Sequence, residues 1–340
     1  MTQDTLADWA RSRGTTPGAA RAFARYLIAE AAGRPAPQRP SRALLAQARF
    51  TADLPPAEAV RDPDGTVRFA VRLPDGAIVE TVLIHQAASD LRARERWTVC
   101  VSSQVGCARG CVFCETGRLG LKRNLSAAEI VAQYAVAARH LGARPANVVF
   151  MGMGEPLDNL EEVLRAIAVL REPSGFAVPE RRITVSTVGI VPRMDELFAR
   201  TKAQVALSLH AVDEGQRRAL LPVARKWSLD ELRACLQRAP RTVLLQWTLI
   251  DGVNDADADA DALARFCAGL NVRVNLIPLN PGPIPAQRAP PPERCRDFQK
   301  RLSGAGVRAL LRMPHGQQIQ GACGQLTGAR RLVRKAAAAG

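Results

Sequence analysis

The sequence predicts an α/β protein: a partial (β/α) barrel of about six parallel strands, preceded by a small helical segment and a short β meander. Three observations carry this prediction. From Trp97 onward, short apolar runs recur, amphipathic stretches separate them, and polar or glycine-rich breaks follow the apolar runs. Parallel strands covered on both faces read as unbroken apolar runs, and the helices that cover them show a period near 3.6. In such barrels chemistry gathers on the loops after the strands.

Residues 1–60 read as a helical accessory region, with TLADWARSRG, GAARAFARYLIAEAAG and SRALLAQARF as its helices and the proline-rich GRPAPQRP (33–40) as a linker. Residues 61–96 read as a meander, because DPDGTVRFAVRLPDGAIVETVLI places two Asp-Gly turns among alternating apolar residues. The barrel spans 97–328. Its strands are WTVCVSSQ (97–104), NVVFMGMG (147–154), RRITVSTV (181–188), QVALSLHA (204–211), TVLLQWTLID (242–251) and VRVNLIPL (272–279), with VRALLRM (307–313) last. Helices such as SAAEIVAQYAVAARHL and LEEVLRAIAVLR lie between them, and two open with capping boxes, Ser126 with Glu129 and Ser228 with Glu231. Residues 329–340 form a basic tail.

Lys and Arg number 47 against 32 Asp and Glu, a net charge of +15. A polyanion such as RNA or DNA is one reading of that surplus, and an arginine-rich surface without a partner is the other. At 47% hydrophobic the chain can bury a core, which excludes wholesale disorder. No apolar run reaches the roughly 18 residues of a membrane span, and MTQDTLADWA, with Asp4 and Asp8, does not read as a secretory signal. A cytoplasmic protein is expected. Eight cysteines in that setting point to metal or catalytic use rather than to a disulfide scaffold.

The chemistry concentrates in Cys107-Ala-Arg-Gly-Cys111-Val-Phe-Cys114, directly after the first barrel strand. Three thiolates this close can wrap one metal centre. A structural zinc would need a fourth ligand that the local sequence lacks. A [4Fe–4S] cluster held by three cysteines leaves one iron open for a non-protein ligand, as S-adenosylmethionine requires.

This loop resembles the CxxxCxxC loop of radical SAM enzymes. Cys100-Val-Ser-Ser-Gln-Val-Gly-Cys107, Met151-Gly-Met-Gly-Glu155-Pro156-Leu, Val185-Ser186-Thr187, Leu207-Ser208-Leu209-His210 and Ala322-Cys323-Gly-Gln-Leu326 narrow the resemblance to the RlmN/Cfr family. It runs from about residue 62 to 328. Those enzymes methylate a ring carbon of adenosine in RNA.

The resemblance implies a role for each motif. Cys107, Cys111 and Cys114 hold the cluster. Gly154 and Glu155 bind the amino end of S-adenosylmethionine, since glycine admits close backbone approach and a carboxylate accepts from ammonium. Ser186, Ser208, Leu209 and His210 meet its ribose and carboxylate, and Asn280 its adenine. Cys323 receives a methyl group from a first S-adenosylmethionine. A second is cleaved reductively, and the resulting 5′-deoxyadenosyl radical takes hydrogen from S-methyl-Cys323 so that its carbon adds to adenine. Glu80, in IVETVLI, accepts the ring proton. Cys100 then attacks the thioether sulfur, leaving a transient disulfide with Cys323. Cys235, Cys267 and Cys295 read as buried hydrophobes.

The implied partners are large-subunit rRNA, with tRNA as a second candidate, and a low-potential electron donor such as flavodoxin or ferredoxin. No membrane partner is expected, and the chain is expected to be a monomer. Lys122-Arg123, Arg181-Arg182, Arg217-Arg218 and Arg225-Lys226 are candidate phosphate contacts, and the 1–60 region a candidate RNA-docking module. Gln318 and Gln320 stand where the family usually has acidic residues, and HQAASDLRARERW (85–97) is longer than usual. These departures keep a paralogue with another RNA target open. Pro156 favours methylation at C2, where C8-type enzymes are expected to carry Ala.

Overall fold

Two hairpins open the described fold. β1 (Ala57–Arg61), β2 (Val67–Arg72), β3 (Ile78–Gln86) and β4 (Arg96–Cys100) pair antiparallel in succession. The two predicted Asp-Gly turns shape this meander, with Gly65 and Gly76 at φ +88 and +80, where a side chain is disfavoured. The structure, a computed structural model, describes residues 7–8, 11–12, 14–31, 54–88, 94–173, 175–282, 284 and 286–327. The predicted linker 33–40, the predicted helix 41–50 and the tail 329–340 lie outside the described residues, as do residues 89–93 of the lengthened 85–97 stretch. Within 1–60, α1 (Pro17–Ala31) is helical, while residues 57–60 already belong to β1.

The stretch predicted as one strand over 97–104 is broken. β4 stops at Cys100, and β5 (Gln104–Cys107) pairs antiparallel with β6 (Gly120–Asn124) in a separate two-stranded ribbon. The ribbon clamps both ends of the cysteine loop. A side chain on Gly106 (φ +79) would meet the Gly120 carbonyl at 1.9 Å, so close strand approach demands glycine there.

The alternating pattern then unfolds as predicted. α2 (Ala127–Leu141), β7 (Asn147–Phe150), α3 (Leu160–Leu170), β8 (Ile183–Thr187), α4 (Val191–Arg200), β9 (Gln204–Ser208), α5 (Glu214–Leu220), α6 (Leu229–Arg238), β10 (Val243–Leu249), α7 (Asp257–Cys267), β11 (Val272–Pro278), α8 (Pro292–Gly304) and β12 (Ala309–Leu311) follow in order. Both predicted capping boxes form, at the starts of α2 and α6. No helix among the described residues is long and apolar enough to cross a membrane.

One ten-stranded sheet results, ordered β1-β2-β3-β4-β7-β8-β9-β10-β11-β12 and parallel from β4 onward. The meander is therefore continuous with the barrel sheet. One face of each strand packs under the helices: Trp247 of β10 lies against Phe298 of α8, centroids 6.0 Å apart. The other face, carrying Gln246, Thr248 and Ile277, lines an interior cavity.

The end strands β1 and β12 do not pair with each other. The loop after β12 bridges them instead. Asp62, in the β1–β2 turn, accepts N–H groups from Gln318 (3.0 Å) and Ile319 (3.3 Å), and Asp64 accepts from Gly316 (2.9 Å). Buried backbone N–H groups left without acceptors cost about 1–3 kcal/mol each. Ile319 is buried and Gln318 is not, so Asp62→Ala should lower unfolding free energy by about 1–3 kcal/mol, and Asp62→Asn, which keeps an acceptor, by less. Denaturant titration measures the loss. Faster amide exchange confined to 316–322 should accompany it.

Candidate active site on the barrel cavity

The cysteine loop begins where β5 ends and is fastened on three sides. Arg109 pairs with Asp158, its Nε 2.7 Å from Oδ2, tying the loop to the turn after Glu155. Val112 N–H donates to the Leu220 carbonyl at the end of α5 (3.1 Å). Glu115 N–H donates to the Gly324 carbonyl (2.8 Å), and Thr116 Oγ1 to that of Leu326 (2.7 Å). The last two bonds join the cysteine loop directly to the Cys323 loop.

A cavity of about 150 Å³ lies between them, and its lining includes Cys107, Cys111, Cys114, Glu155, His210 and Cys323. Gly154, Ser186, Ser208 and Asn280 also face it. All eight cysteines are free thiols, so the expected Cys100–Cys323 disulfide is not formed in this state.

The cysteine thiols are held in a setting that resists ionisation. Burial pushes Cys107 up to about 11, helped by the nearby Cys114, Glu155 and Asp158 charges. Burial raises Cys111 and Cys114 as well, and Cys111 also feels the other two thiols. Three crowded thiols that repel one another as thiolates fit a cationic centre that relieves the repulsion. Among the described residues, no three His, Cys, Asp or Glu converge tightly enough for a single metal ion. A zinc at about 2.3 Å from each sulfur would draw the sulfurs to within about 4 Å of one another. Three thiols on one cavity would hold a [4Fe–4S] cluster, which draws its protein ligands from cysteine.

Arg217 adds to that fit and corrects one expectation. It was read with Arg218 as a phosphate contact, yet it is fully buried. Its Nη2 donates to the Val188 carbonyl (3.0 Å), while Nε and Nη1 have no acceptor. Burial pushes its guanidinium down to about 10, with Glu214 and Cys111 pulling the other way. A buried cation beside the cysteine loop with two idle donors suits an anionic group there. Two other expected phosphate contacts are already engaged: Arg123 pairs with Asp75 and Glu129, and Arg218 with Glu214.

The Met151–Glu155 turn is shaped by protein contacts more than by room for a ligand. A Cβ on Gly152 would meet Ser102 Oγ at 2.8 Å, and one on Gly154 (φ +99) would meet Gln104 Cβ at 2.5 Å. Ser102 Oγ accepts from Met153 N–H (2.9 Å) and Gln104 Oε1 from Glu155 N–H (2.8 Å). The Val-Ser-Ser-Gln segment thus moulds the turn. Glu155 itself is buried, accepting from Leu157 N–H (3.0 Å) and Val188 N–H (2.9 Å), and burial pushes its carboxyl up to about 7.

His210 sits in the left-handed region at φ +60. Its Nδ1 accepts from Thr248 N–H (2.9 Å), and burial drives its pKa down to about 3, so the ring is neutral and acts as an acceptor. The ring packs edge-on against Phe113 of the cysteine loop at 4.8 Å. Leu209 is fully buried and is not part of the lining. Gln246, which the sequence reading missed, gathers the hydroxyls of Ser186 (3.1 Å) and Ser208 (3.4 Å). Asn280 donates to the Cys323 carbonyl (3.1 Å), so it meets the Cys323 loop directly.

Cys323 is exposed to the cavity. Crowding by protein atoms raises its pKa, and nearby Cys114 adds to the rise, while Arg312 lowers it. Cys100, at the end of β4, lies behind the lining. Burial raises its pKa and the proximity of Cys323 raises it further, so the two thiols are neighbours. Glu80 on β3 is also outside the lining. Fully buried, it pairs with Arg68 (2.8 Å) and accepts from Thr327 N–H (2.5 Å), four residues beyond Cys323.

Residues 101–264 match the model of the radical SAM superfamily. "Probable RNA methyltransferase sce1580" of Sorangium cellulosum is 46% identical, the match covering 96% of this chain and 86% of that protein. "Dual-specificity RNA methyltransferase RlmN" of Syntrophobacter fumaroxidans is 45% identical over 77% of each chain. The RlmN of the same Sorangium strain is 41% identical over 83% of this chain and 82% of its own. A radical SAM methyltransferase from Sphaerobacter thermophilus has a crystal structure that superposes with TM-score 0.85 and 39% identity, over 96% of this chain and 98% of that one. Matched in its fold, in its cysteine loop and along nearly its whole length, the chain belongs to the RlmN/Cfr family of the radical SAM superfamily.

Proposed function

We propose that this protein is an S-adenosylmethionine-dependent RNA methyltransferase that places a methyl group on C2 of adenosine in large-subunit rRNA, with tRNA as a second substrate. The observation that carries the reading is the junction of two loops. The 2.8 Å bond from Glu115 to Gly324 sets Cys323 on the same cavity as Cys107, Cys111 and Cys114. The names of the relatives, all RNA methyltransferases, support the substrate class.

In this reading Cys107, Cys111 and Cys114 hold a [4Fe–4S] cluster, which supplies the electron for reductive cleavage of S-adenosylmethionine. Glu155, Ser186, Ser208 and His210 orient that molecule, and Leu209 supports them from behind. Cys323 Sγ gives up its proton and takes the first methyl group as a thioether. Arg312 favours the thiolate this step needs. Glu80 accepts the ring proton, and Cys100 Sγ attacks the Cys323 sulfur, breaking the bond to carbon and leaving a transient disulfide. A low-potential electron donor serves the cluster, and a monomer in the cytoplasm suffices for the chemistry.

A second reading has a specific observation behind it. One Sorangium strain holds two relatives, and this chain is 46% identical to the one not named RlmN and 41% to the RlmN. Together with Gln318 and Gln320, this favours a paralogue acting on C8 or on another RNA adenosine.

Mass spectrometry of nuclease-digested RNA tests both readings, after incubating anaerobically reconstituted protein with S-adenosylmethionine, reductant and unmodified rRNA or tRNA. The proposal expects 2-methyladenosine, lost in Cys323→Ala and Cys107→Ala. 8-Methyladenosine alone would move the site of methylation to the second reading, and no methylated adenosine would overturn both.

Glu155 predicts a pH dependence. With a pKa near 7, the carboxyl becomes neutral as pH falls and loses the charge an ammonium group pairs with. Affinity for S-adenosylmethionine should drop by roughly 20-fold from pH 7.5 to 5.5, measured by calorimetry, and Glu155→Gln should flatten that profile. Glu80→Gln separates two roles for that residue. If the carboxylate only anchors Thr327, the amide oxygen still accepts and turnover persists. If it takes the ring proton, Cys323 still loads with methyl but RNA product falls by at least about 100-fold.

A further inference from the structure

Below the cavity, the same face of the sheet continues to its open edge. Cavity-facing positions alternate along each strand, so Leu244, Gln246 and Thr248 of β10 share a face with Arg273, Asn275 and Ile277 of β11. β12 pairs parallel with β11 in the register Asn275 to Leu310, which sets Arg308 level with Arg273 and Arg312 level with Ile277. Two backbone bonds fix that edge, Val274 N–H to the Arg308 carbonyl (2.9 Å) and Arg312 N–H to that of Leu276 (2.8 Å).

Leu244, Arg273, Asn275, Arg308, Leu310 and Arg312 line a second cleft of about 610 Å³ with no acidic residue in its lining. Neither the Arg273 nor the Arg308 guanidinium has an ion-pair or hydrogen-bond partner among the described residues. Arg294 and Arg301 on the adjacent helix α8, and Arg288 in the loop before it, are by contrast paired to aspartates. Leu310 is 52% exposed beside them and Met313 74%, the two most exposed large hydrophobics among the described residues.

From this juxtaposition we infer that the inner face of β11 and β12 is the RNA-docking surface, and that it takes a single-stranded segment flanking the target adenosine. Arg273 and Arg308 contact its phosphates, and Leu310 takes a base or sugar face. The inference rests on the RNA reading above. Unpaired cations interleaved with exposed apolar side chains are the combination that single-stranded nucleic acid recognises, through phosphate charge and base stacking. An acidic partner protein would find the cations but has no need of a continuous path to the cavity. The cleft's arginines climb the strand in that direction: Arg308 and Arg312 are four residues apart, about 13 Å along the strand. Arg312 at its upper end bears on the Cys323 thiol. A nucleotide chain running up this face delivers an unstacked base to the sulfur that carries the methyl group.

The test uses the full-length reconstituted enzyme and a fluorescein-labelled, unmodified rRNA fragment. Binding is read by anisotropy across a salt series, beside methyl loading of Cys323, which needs no RNA. Arg273→Gln with Arg308→Gln should weaken binding by about tenfold and reduce the slope of log affinity against log salt by about 1.4, two contacts at about 0.7 each. Leu310→Ser should weaken binding with the slope unchanged. Arg265→Gln with Arg296→Gln, on the outer helices, removes the same charge and should shift affinity less than about twofold. Cys323 loading should stay at the wild-type level in every variant, which shows that each is folded.

If the β11–β12 variant matches the outer-helix control in affinity and slope while wild type methylates RNA, the docking surface is elsewhere and the methyltransferase reading stands. If wild type binds no RNA although Cys323 loads, the RNA reading falls and takes this inference with it. A concentration-dependent dimer that Leu310→Ser dissociates would reassign the face to self-association and overturn the proposal.

Discussion

The candidate site depends on one backbone hydrogen bond, from Glu115 N–H to the Gly324 carbonyl. It joins loops more than two hundred residues apart in the chain and leaves four sulfurs on one cavity. Its length is set from both sides. The β5–β6 ribbon and the Arg109–Asp158 pair hold the cysteine loop, while Asp62, Asp64 and Asn280 hold the Cys323 loop. Gly324 is itself constrained, since a Cβ there would meet the Phe113 carbonyl at 3.1 Å. A site shared by two loops needs both held to within about half an ångström, and few single contacts could supply that.

The open sheet explains why the clamp is needed. A closed barrel would position its last loop through strand pairing, but β12 has only three residues and, among the described residues, no strand beyond it. The β1–β2 turn takes over that task with aspartate side chains instead of a ladder. Family members usually place acidic residues at positions 318 and 320, where this chain has glutamines. Here the carboxylates reach the loop from the meander, and Gln318 contributes its backbone N–H.

Charge in the site follows the same economy. Glu155 is buried with backbone donors, Arg217 is buried with two idle ones, and the thiols around them are pushed toward their neutral forms. A low-dielectric cavity amplifies whatever charge enters it. Much of the net charge of +15 lies elsewhere, and many exposed arginines are spent in ion pairs on the helices. The surplus matters where arginine is unpaired, and Arg273 and Arg308 are such a place.

The strand–helix alternation, the two Asp-Gly turns and both capping boxes were legible in the sequence because each is local: period, turn chemistry and cap lie within a few residues. The Cys107–Cys114 loop was legible for the same reason. Sequence did not show the break at Cys100, because Val101–Ser103 is as strand-like as its neighbours and turns only to reach Met153 and Glu80. Gln246, Asp62 and Asp64 were invisible because their partners lie far along the chain. Arg217 looked like a surface cation, since helical periodicity cannot tell a buried charge from a solvated one. Residue type and local spacing determined which groups could do chemistry. Tertiary structure decided which of them meet, because only long-range packing sets their distances and removes the water between them.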